Sequence, residues 1–74
     1  MKESVIEILS HYTETDLSEI KESSELINDL GFSSFDIVNA VVEFEDAFEI
    51  EIPDEDIQNL KTVNDVINYI LSKQ

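Results

Sequence analysis

The chain of 74 residues is poor in two residue types that often build catalytic and metal sites, cysteine and histidine. It has no cysteine, which excludes disulfide bonds, thiolate metal sites and a cysteine nucleophile. Its one histidine, His11, has a glutamate one turn earlier at Glu7, but two ligands are too few to hold a metal ion. No arrangement of serine, histidine and acid is apparent either. We therefore expect no metal and no catalytic residues.

Glycine and proline are equally scarce, with one of each in the chain. Gly31 is expected to supply a backbone shape that a side chain would hinder. Pro53 pushes Ile52 out of helical conformation and can itself open a short helix. Long hydrophobic runs are absent, so no segment is predicted to span a membrane. The N-terminal stretch also has a glutamate where a signal peptide needs an unbroken apolar core, so we expect a cytoplasmic protein.

Positively charged residues are also few compared with negatively charged ones. Four Lys and Arg residues face eighteen Asp and Glu residues, which gives a formal net charge of −14. A field of this sign repels nucleic acid and anionic lipid and attracts basic protein surfaces. We therefore expect neither a nucleic-acid nor a membrane partner, and we expect added salt to stabilise the fold by screening self-repulsion.

What the chain does contain is helical periodicity, in a sequence that is 42% hydrophobic and thus too apolar for a disordered acidic tail. The pattern predicts helices over Lys2–Tyr12, Ser34–Glu49 and Asp54–Leu60, and a last helix that begins after Thr62. No strand pattern persists. Residues 1–74 are thus predicted to form a single all-α domain, a small four-helix bundle of three main helices and one short helix with a long first loop.

The long first loop is predicted to run from Thr13 to Ser33, with a short helical turn around Leu17–Lys21. Structureless loops of this length tend to be functional or pinned to the core. Its intermittent apolar residues are the expected anchors: Leu17, Ile20, Leu26, Ile27 and Leu30.

Side-chain caps are predicted at the helix starts. Ser33 is a candidate N-cap for the second helix, with Asp36 in the first turn, where the helix dipole favours a negative charge. Thr62 with Asp65 has the spacing of a capping box, and so does Ser4 with Glu7, although the first helix can also begin earlier.

The helix over Ser34–Glu49 carries two apolar faces when it is placed on a wheel of about 100° per residue. The core face comprises Ile37, Val41, Phe44 and Phe48, flanked by Ala40 and Ala47. Phe35 and Val42 fall nearly opposite, in an outer strip that also holds Asn39 and Asp46. Val38, Glu45 and Glu49 flank this strip on one side, and Asp36 and Glu43 on the other.

The outer strip has two interpretations. Single apolar side chains on a surface are normal, and Phe35 could also fold back under the long loop. Apolar contacts inside an acidic rim are alternatively typical of an interface that steers basic partners.

Ser34 lies at the mouth of this helix. A serine there is most commonly a cap or a first-turn residue. Alternatively it is an attachment site, because free backbone N–H groups and the positive end of the dipole suit a phosphate on its hydroxyl. The chain offers no base to activate that hydroxyl, so another enzyme would have to perform the chemistry.

The stretch D29-L-G-F-S-S-F-D36 resembles the D-L-G-x-D-S-L-[DE] signature of acyl carrier proteins. The segments E49-I-E-I-P-D-E-D56 and K61-T-V-N-D-V-I-N-Y-I70 also look like family segments. Alignment on Gly31 implies that Ser34 receives 4′-phosphopantetheine from coenzyme A. The chain departs from the family pattern at Ser33, usually Asp, at Phe35, usually Leu, and at Asn39, commonly Glu.

The resemblance implies a non-catalytic, monomeric carrier that delivers acyl groups as thioesters between enzymes of fatty-acid or related acyl-chain biosynthesis. Its implied partners are a phosphopantetheinyl transferase, acyltransferases, ketosynthases and other acyl-processing enzymes with basic docking patches. The expected partner-binding residues are Phe35, Asp36, Val38, Val42, Glu45 and Asp46. The acyl-chain pocket that the family implies would be lined by residues that the pattern also places in the core: Val41, Phe44, Phe48, Ile57, Leu60 and Val66.

Two alternatives stay open at this point. One is a specialised carrier for polyketide, peptide or D-alanine transfer, in which Ser33 and Asn39 would mark different partners. The other is an unmodified acidic helical adaptor that binds proteins through Phe35 and Val42.

Overall fold

The computed structural model describes the whole chain, from Met1 to Gln74, as a bundle of four α-helices. The helices are α1 (Lys2–Ser10), α2 (Ser34–Phe48), α3 (Asp54–Ile57) and α4 (Val63–Lys73), and a 3₁₀ turn at Leu17–Glu19 lies in the loop between α1 and α2. The predicted all-α bundle, with three main helices, one short helix and a long first loop, is confirmed.

Two helices end two or more residues earlier than the sequence pattern predicts, and α2 ends one residue earlier, at Phe48. The predicted first helix reaches Tyr12, but α1 ends at Ser10, and the N–H groups of His11 and Tyr12 bond to the carbonyls three residues back. The predicted short helix reaches Leu60, but α3 ends at Ile57. The N–H groups of Asn59 and Leu60 again bond to the carbonyls three residues back. In both places the chain tightens into turns, as is common at helix ends.

One hydrophobic core of sixteen buried residues holds the helices together. From α2 it takes Ala40, Val41 and Phe44, while Ile37 and Phe48 are half-buried at its edge. The predicted core face is therefore correct, except that Ala47 is exposed. The most tightly enclosed large side chains come from α1, α2 and α4: Phe44, Leu9, Ile70, Val5 and Val63.

The helix caps follow the sequence at two of three sites. Ser33 Oγ accepts from the Asp36 N–H at 3.1 Å, and an Asp36 carboxylate oxygen accepts from the Ser33 N–H at 3.0 Å. Thr62 and Asp65 form the same reciprocal box at the start of α4. The box predicted at Ser4 is absent, because α1 begins at Lys2 and leaves Ser4 inside the helix.

The long loop is pinned to the core by some of the predicted anchors. Ile20, Leu26 and Leu30 are buried, but Leu17 and Ile27 are 53% and 58% exposed, so their prediction as anchors was wrong. The N–H of Asp29 bonds to the carbonyl of Glu25, four residues back, as in an α-helical turn. In such a turn residues four apart share a face. Leu26 and Leu30 therefore both point inward, while Ile27 is rotated outward.

A second attachment, which we call the loop seam, joins residues 22–26 of the loop to residues 61–64. The N–H of Leu26 donates to the Lys61 carbonyl at 2.9 Å, and Glu25 faces Thr62 in an antiparallel bridge. The N–H groups of Val63 and Asn64 donate to the carbonyls of Ser24 and Glu22, at 3.0 and 2.8 Å. The loop seam thus satisfies the first amides of α4, which most helices leave unpaired.

Gly31 has a φ of +73°, a left-handed conformation, which agrees with the expectation of a backbone shape that a side chain would hinder. A Cβ at this position would meet no atom within 4 Å, so the backbone conformation alone explains the glycine.

None of the helices combines the length and the apolar character that crossing a bilayer requires.

Candidate functional site

Ser34 is the first residue of α2 and is exposed to solvent. The chain leading to it is firmly fixed, because Phe32, two positions earlier, is 3% exposed and its N–H bonds to the Leu26 carbonyl at 2.9 Å. Between Leu26 and the helix, Gly31 turns the backbone through its positive φ. Ser34 is therefore displayed at the tip of a helix from a rigid base.

The first backbone N–H groups of α2, at the positive end of its dipole, are unpaired. The N–H groups of Ser34 and Phe35 donate to no protein acceptor, whereas the equivalent groups of Val63 and Asn64 in α4 are bonded in the loop seam. Unpaired amides and the helix dipole together favour a negatively charged group. Of these two helix starts, α2 is thus the one that can receive an anion.

The two adjacent serines have different roles in the structure. Ser33 is the N-cap, with an extended backbone, and its Oγ accepts from the Asp36 N–H. Ser34 Oγ has no hydrogen-bond partner. His11 Nδ1 lies 3.2 Å from Glu43 Oε2, so the histidine is paired elsewhere and does not act as a base for Ser34. The arrangement offers a free hydroxyl without a means of activating it.

The outer strip of α2 is exposed, as the wheel predicts. Phe35 is 74% exposed, Val42 58% and Val38 49%. The alternative in which Phe35 folds back under the loop is wrong, because Phe35 is exposed, and the phenylalanine that is buried in the core near it is Phe32. The sequence pattern missed Phe32, since no helix periodicity extends to it.

The carboxylates around this strip are not equally free. Asp36 is held in the capping box, and Glu45 Oε2 accepts from the Ile52 N–H at 2.8 Å. Asp46 is exposed and has no hydrogen bond or ion pair within the chain. Of the three acids expected to bind partners, Asp46 is therefore the one without an internal role.

Glu43 faces α1 rather than solvent. One of its carboxylate oxygens accepts from the Tyr12 hydroxyl at 2.7 Å, and the other lies beside His11. The hydrogen bond to Glu43 raises the pKa of Tyr12, with burial as a smaller cause. The wheel placed Glu43 on the rim of the strip, and only the structure shows that it ties α1 to α2.

The residues expected to line an acyl-chain pocket all belong to the core or its edge. Val41, Phe44, Leu60 and Val66 are buried, and Phe48 and Ile57 are half-buried against them. None of the six lines the open polar groove of about 810 Å³ beside the start of α2.

A tyrosine that the sequence did not single out lies at the same edge of the core. The Tyr69 hydroxyl donates to Asp56 Oδ2 at 2.6 Å, which joins α4 to α3. Burial, this hydrogen bond and the charges of Asp56 and Glu45 raise the pKa of Tyr69 to about 12.

No group of three or more His, Asp or Glu side chains is arranged to hold a metal ion.

Comparisons with known proteins agree with this geometry. The family described as "Phosphopantetheine attachment site" matches residues 3–70. The acyl carrier protein of Clostridium acetobutylicum is 43% identical over 68 residues, which is 92% of this chain and 88% of that protein. A solved structure of the acyl carrier protein from Enterococcus faecalis superposes with a TM-score of 0.85 at 29% identity, covering 99% of this chain and 92% of the other.

Proposed function

The chain belongs to the acyl carrier protein family, whose cofactor is 4′-phosphopantetheine, and on this premise we propose that Ser34 is its attachment residue. The observation that carries the proposal is the contrast between the two serines at the start of α2. Ser34 combines exposure, a free hydroxyl and two unpaired amides, its own and that of Phe35. Ser33 has its hydroxyl oxygen engaged in the capping box.

When attached, 4′-phosphopantetheine supplies a flexible arm that ends in a thiol, on which acyl groups are held as thioesters. The chain's own contribution is the Oγ of Ser34 and the field around it. The amides of Ser34 and Phe35 are oriented to stabilise the negative charge of a phosphodiester. The proton of the hydroxyl must be removed by the transferase, since no base of this chain is bonded to Ser34. The chain thus acts as a substrate and a carrier rather than as a catalyst.

The attachment site can be tested by incubating the unmodified chain with coenzyme A and a phosphopantetheinyl transferase. We expect the intact mass of the wild type and of Ser33→Ala to increase by one phosphopantetheinyl group, and that of Ser34→Ala to stay unchanged. Peptide mapping should place the group on Ser34. A modified Ser34→Ala variant, or a group mapped to Ser33, would overturn the assignment.

As a family member the chain interacts with a phosphopantetheinyl transferase and acyl-processing enzymes. We propose that it meets acyltransferases and ketosynthases of fatty-acid biosynthesis through the apolar strip of Phe35, Val38 and Val42. The exposed apolar side chains suit an apolar contact on the partner, and Asp46 suits a basic patch beside it. Such contacts form fast and are weak. We further propose that residues 1–74 act as one carrier domain, as a monomer in the cytoplasm.

A specialised carrier is the second candidate, favoured by the two uncharged residues near the tip of α2, Ser33 and Asn39. Loading assays separate the two candidates. A fatty-acid carrier accepts a malonyl group from an acyltransferase, whereas a carrier for peptide or D-alanine transfer is loaded by an adenylating enzyme. The unmodified adaptor does not agree with membership of a family with a phosphopantetheine attachment site.

A further inference from the structure

The open polar groove beside the start of α2 lies between two stretches of the long loop. Residues 11–15, which follow α1, form one wall, and residues 28–31, which precede α2, form the other, with Asp36 completing the lining. Only two of the ten lining residues are hydrophobic, so the groove suits a polar ligand rather than an acyl chain. The groove is adjacent to Ser34, which lies in the chain between the lining residues Gly31 and Asp36.

The walls of the groove are held in place without a ligand. Thr13 Oγ1 donates to the Leu30 carbonyl at 2.7 Å and so joins one wall directly to the other. The ring of Tyr12, a further lining residue, packs edge-on against Phe32 with 6.3 Å between the centroids, and its hydroxyl bonds to Glu43. Because the groove is already formed, a ligand does not have to order its walls on binding.

The free polar atoms of the groove include many hydrogen-bond acceptors. The carboxylate of Glu14 has no hydrogen bond or ion pair within the chain. Asp29 and Asp36 each use one carboxylate oxygen to accept a backbone N–H, which leaves the other oxygen free. The side-chain nitrogen of Asn28 donates to a carboxylate, and its side-chain oxygen has no partner. The groove therefore suits a ligand that brings hydrogen-bond donors.

The arm that the proposed function attaches to Ser34 brings such donors. Beyond its phosphate the arm is neutral and carries amide N–H groups and a hydroxyl. The carboxylates of the groove repel the phosphate itself, but the unpaired amides of Ser34 and Phe35 favour a negative charge at the helix start. The charged and the neutral parts of the arm thus match two adjacent surfaces of different chemistry.

We propose that this groove is the resting site of the neutral part of the arm when no partner enzyme holds it. The inference rests on the proposed attachment to Ser34. An open polar groove binds a free small molecule weakly, but a short flexible tether raises the local concentration of its end to the order of millimolar. A groove with a dissociation constant in the same range is then occupied about half of the time. Such binding keeps the arm beside the chain and still releases it readily to a partner.

The groove can be tested on the unmodified chain, where the result does not depend on attachment. We expect free pantetheine, at concentrations on the order of millimolar, to shift the NMR signals of the Thr15 and Asn28 amides. The amides of Glu55 and Gln58, at α3, should not shift. Arginine is the comparator, because its guanidinium would pair with the carboxylates of the groove. Shifts with arginine and none with pantetheine, or pantetheine shifts at Glu55 and Gln58 instead, would overturn the resting site.

The second measurement uses the chain with the arm attached. We expect nuclear Overhauser cross-peaks between the methyl groups of the arm and that of Thr15. Asn28→Ala removes one free acceptor, and loss of a neutral hydrogen bond weakens binding about fivefold, so the cross-peaks should weaken about threefold from half occupancy. Asn68→Ala, at an exposed asparagine of α4, is the matched control and should leave them unchanged. Absent cross-peaks in the wild type, or equal intensities in the two variants, would contradict the proposal.

Failure of attachment and failure of the groove can be told apart. A wild-type chain that accepts no group on Ser34 contradicts the proposed function, while the titration with free pantetheine still decides whether the groove binds. A chain that is modified on Ser34 and shows no cross-peaks to Thr15 contradicts the resting site alone.

Discussion

At the scale of single residues, the start of α2 shows how position separates two identical side chains. Ser33 lies just outside the helix, where its Oγ reaches the Asp36 N–H, and Ser34 lies just inside, where its Oγ reaches nothing. Ser33 therefore contributes to stability, and we assign the attachment of 4′-phosphopantetheine to Ser34. The cap also fixes the direction in which Ser34 is displayed.

Substitution should separate these roles in a stability measurement. Ser33→Ala removes the N-cap, and we expect the free energy of unfolding in urea to fall by about 1 kcal/mol. Ser34→Ala is the matched control and should change it little, since alanine is favourable at a first helical position. A larger loss in Ser34→Ala than in Ser33→Ala would contradict the assignment of the cap.

The raised pKa of Tyr69 predicts a change in the stability of the fold at alkaline pH. Its pKa rises from about 10 in the unfolded chain to about 12 in the fold, so the fold favours the protonated hydroxyl. The resulting stability is complete below pH 10 and is lost as the pH rises toward 12. We expect unfolding to become easier across this window in the wild type, and less so in Tyr69→Phe. Phenolate absorbance in Tyr12→Phe should report the late titration of Tyr69, and an ordinary tyrosine titration there would contradict the prediction.

At the scale of elements, α2 serves two surfaces at once. Its inner face supplies Val41 and Phe44 to the core, and its outer face leaves Phe35 and Val42 in solvent. Its acids are divided in the same way. Glu43 and Glu45 hold neighbouring parts of the chain, and Asp46 is free.

This division identifies the clean probe of docking. Asp46→Lys reverses an exposed charge, and we expect it to raise the apparent KM of the phosphopantetheinyl transferase about three- to tenfold at low salt without changing the melting temperature. Glu45→Lys should lower the melting temperature as well, since it leaves the buried Ile52 without its partner for the N–H. Unchanged transfer kinetics for Asp46→Lys at low salt would remove Asp46 from the docking surface.

The sequence predicted the helices, both functional caps and the exposed strip because each depends on residues close together in the chain. Ser33 and Asp36 are three positions apart, and the faces of α2 follow from a fixed period. The special backbone shape expected at Gly31 was equally local, since its φ reflects the glycine alone.

The contacts between distant segments could not be predicted. Nothing in one sequence states that Tyr69 meets Asp56, or that Glu45 reaches the N–H of Ile52. The loop lacks a period that would separate inward from outward residues, so Ile27 was wrongly placed inside. These pairings decide which acids are free and which acid each tyrosine bonds.

At the scale of the whole molecule, the dominant property is unbalanced charge. Eighteen Asp and Glu side chains share a body of 27 × 23 × 18 Å, and two of them, Glu3 and Glu22, are paired with an ammonium group. The longest dimension is close to the Debye length of about 30 Å at 0.01 M salt, so every carboxylate repels every other at that ionic strength. Stability is therefore lowered by the same field that attracts basic partners.

Salt should relieve this repulsion. We expect the melting temperature to rise by several degrees between about 0.01 M and 1 M sodium chloride, as the Debye length shrinks to about 3 Å. Potassium chloride at matched concentration should have the same effect, which separates screening from specific ion binding. A melting temperature that does not change with salt would show that repulsion is not limiting.

The loop seam also has a kinetic consequence. Helices α1, α2 and α4 can form turns from neighbouring residues, but the bonds from Leu26 to Lys61 and from Asn64 to Glu22 enclose α2 and α3 in a closed loop. Closing that loop lowers the conformational entropy of the chain before the hydrogen bonds of the loop seam have formed to offset the loss. We therefore expect the pairing of these two stretches to limit the rate of folding. Substitutions at the loop seam should slow folding, whereas loss of the Ser33 cap should chiefly speed unfolding.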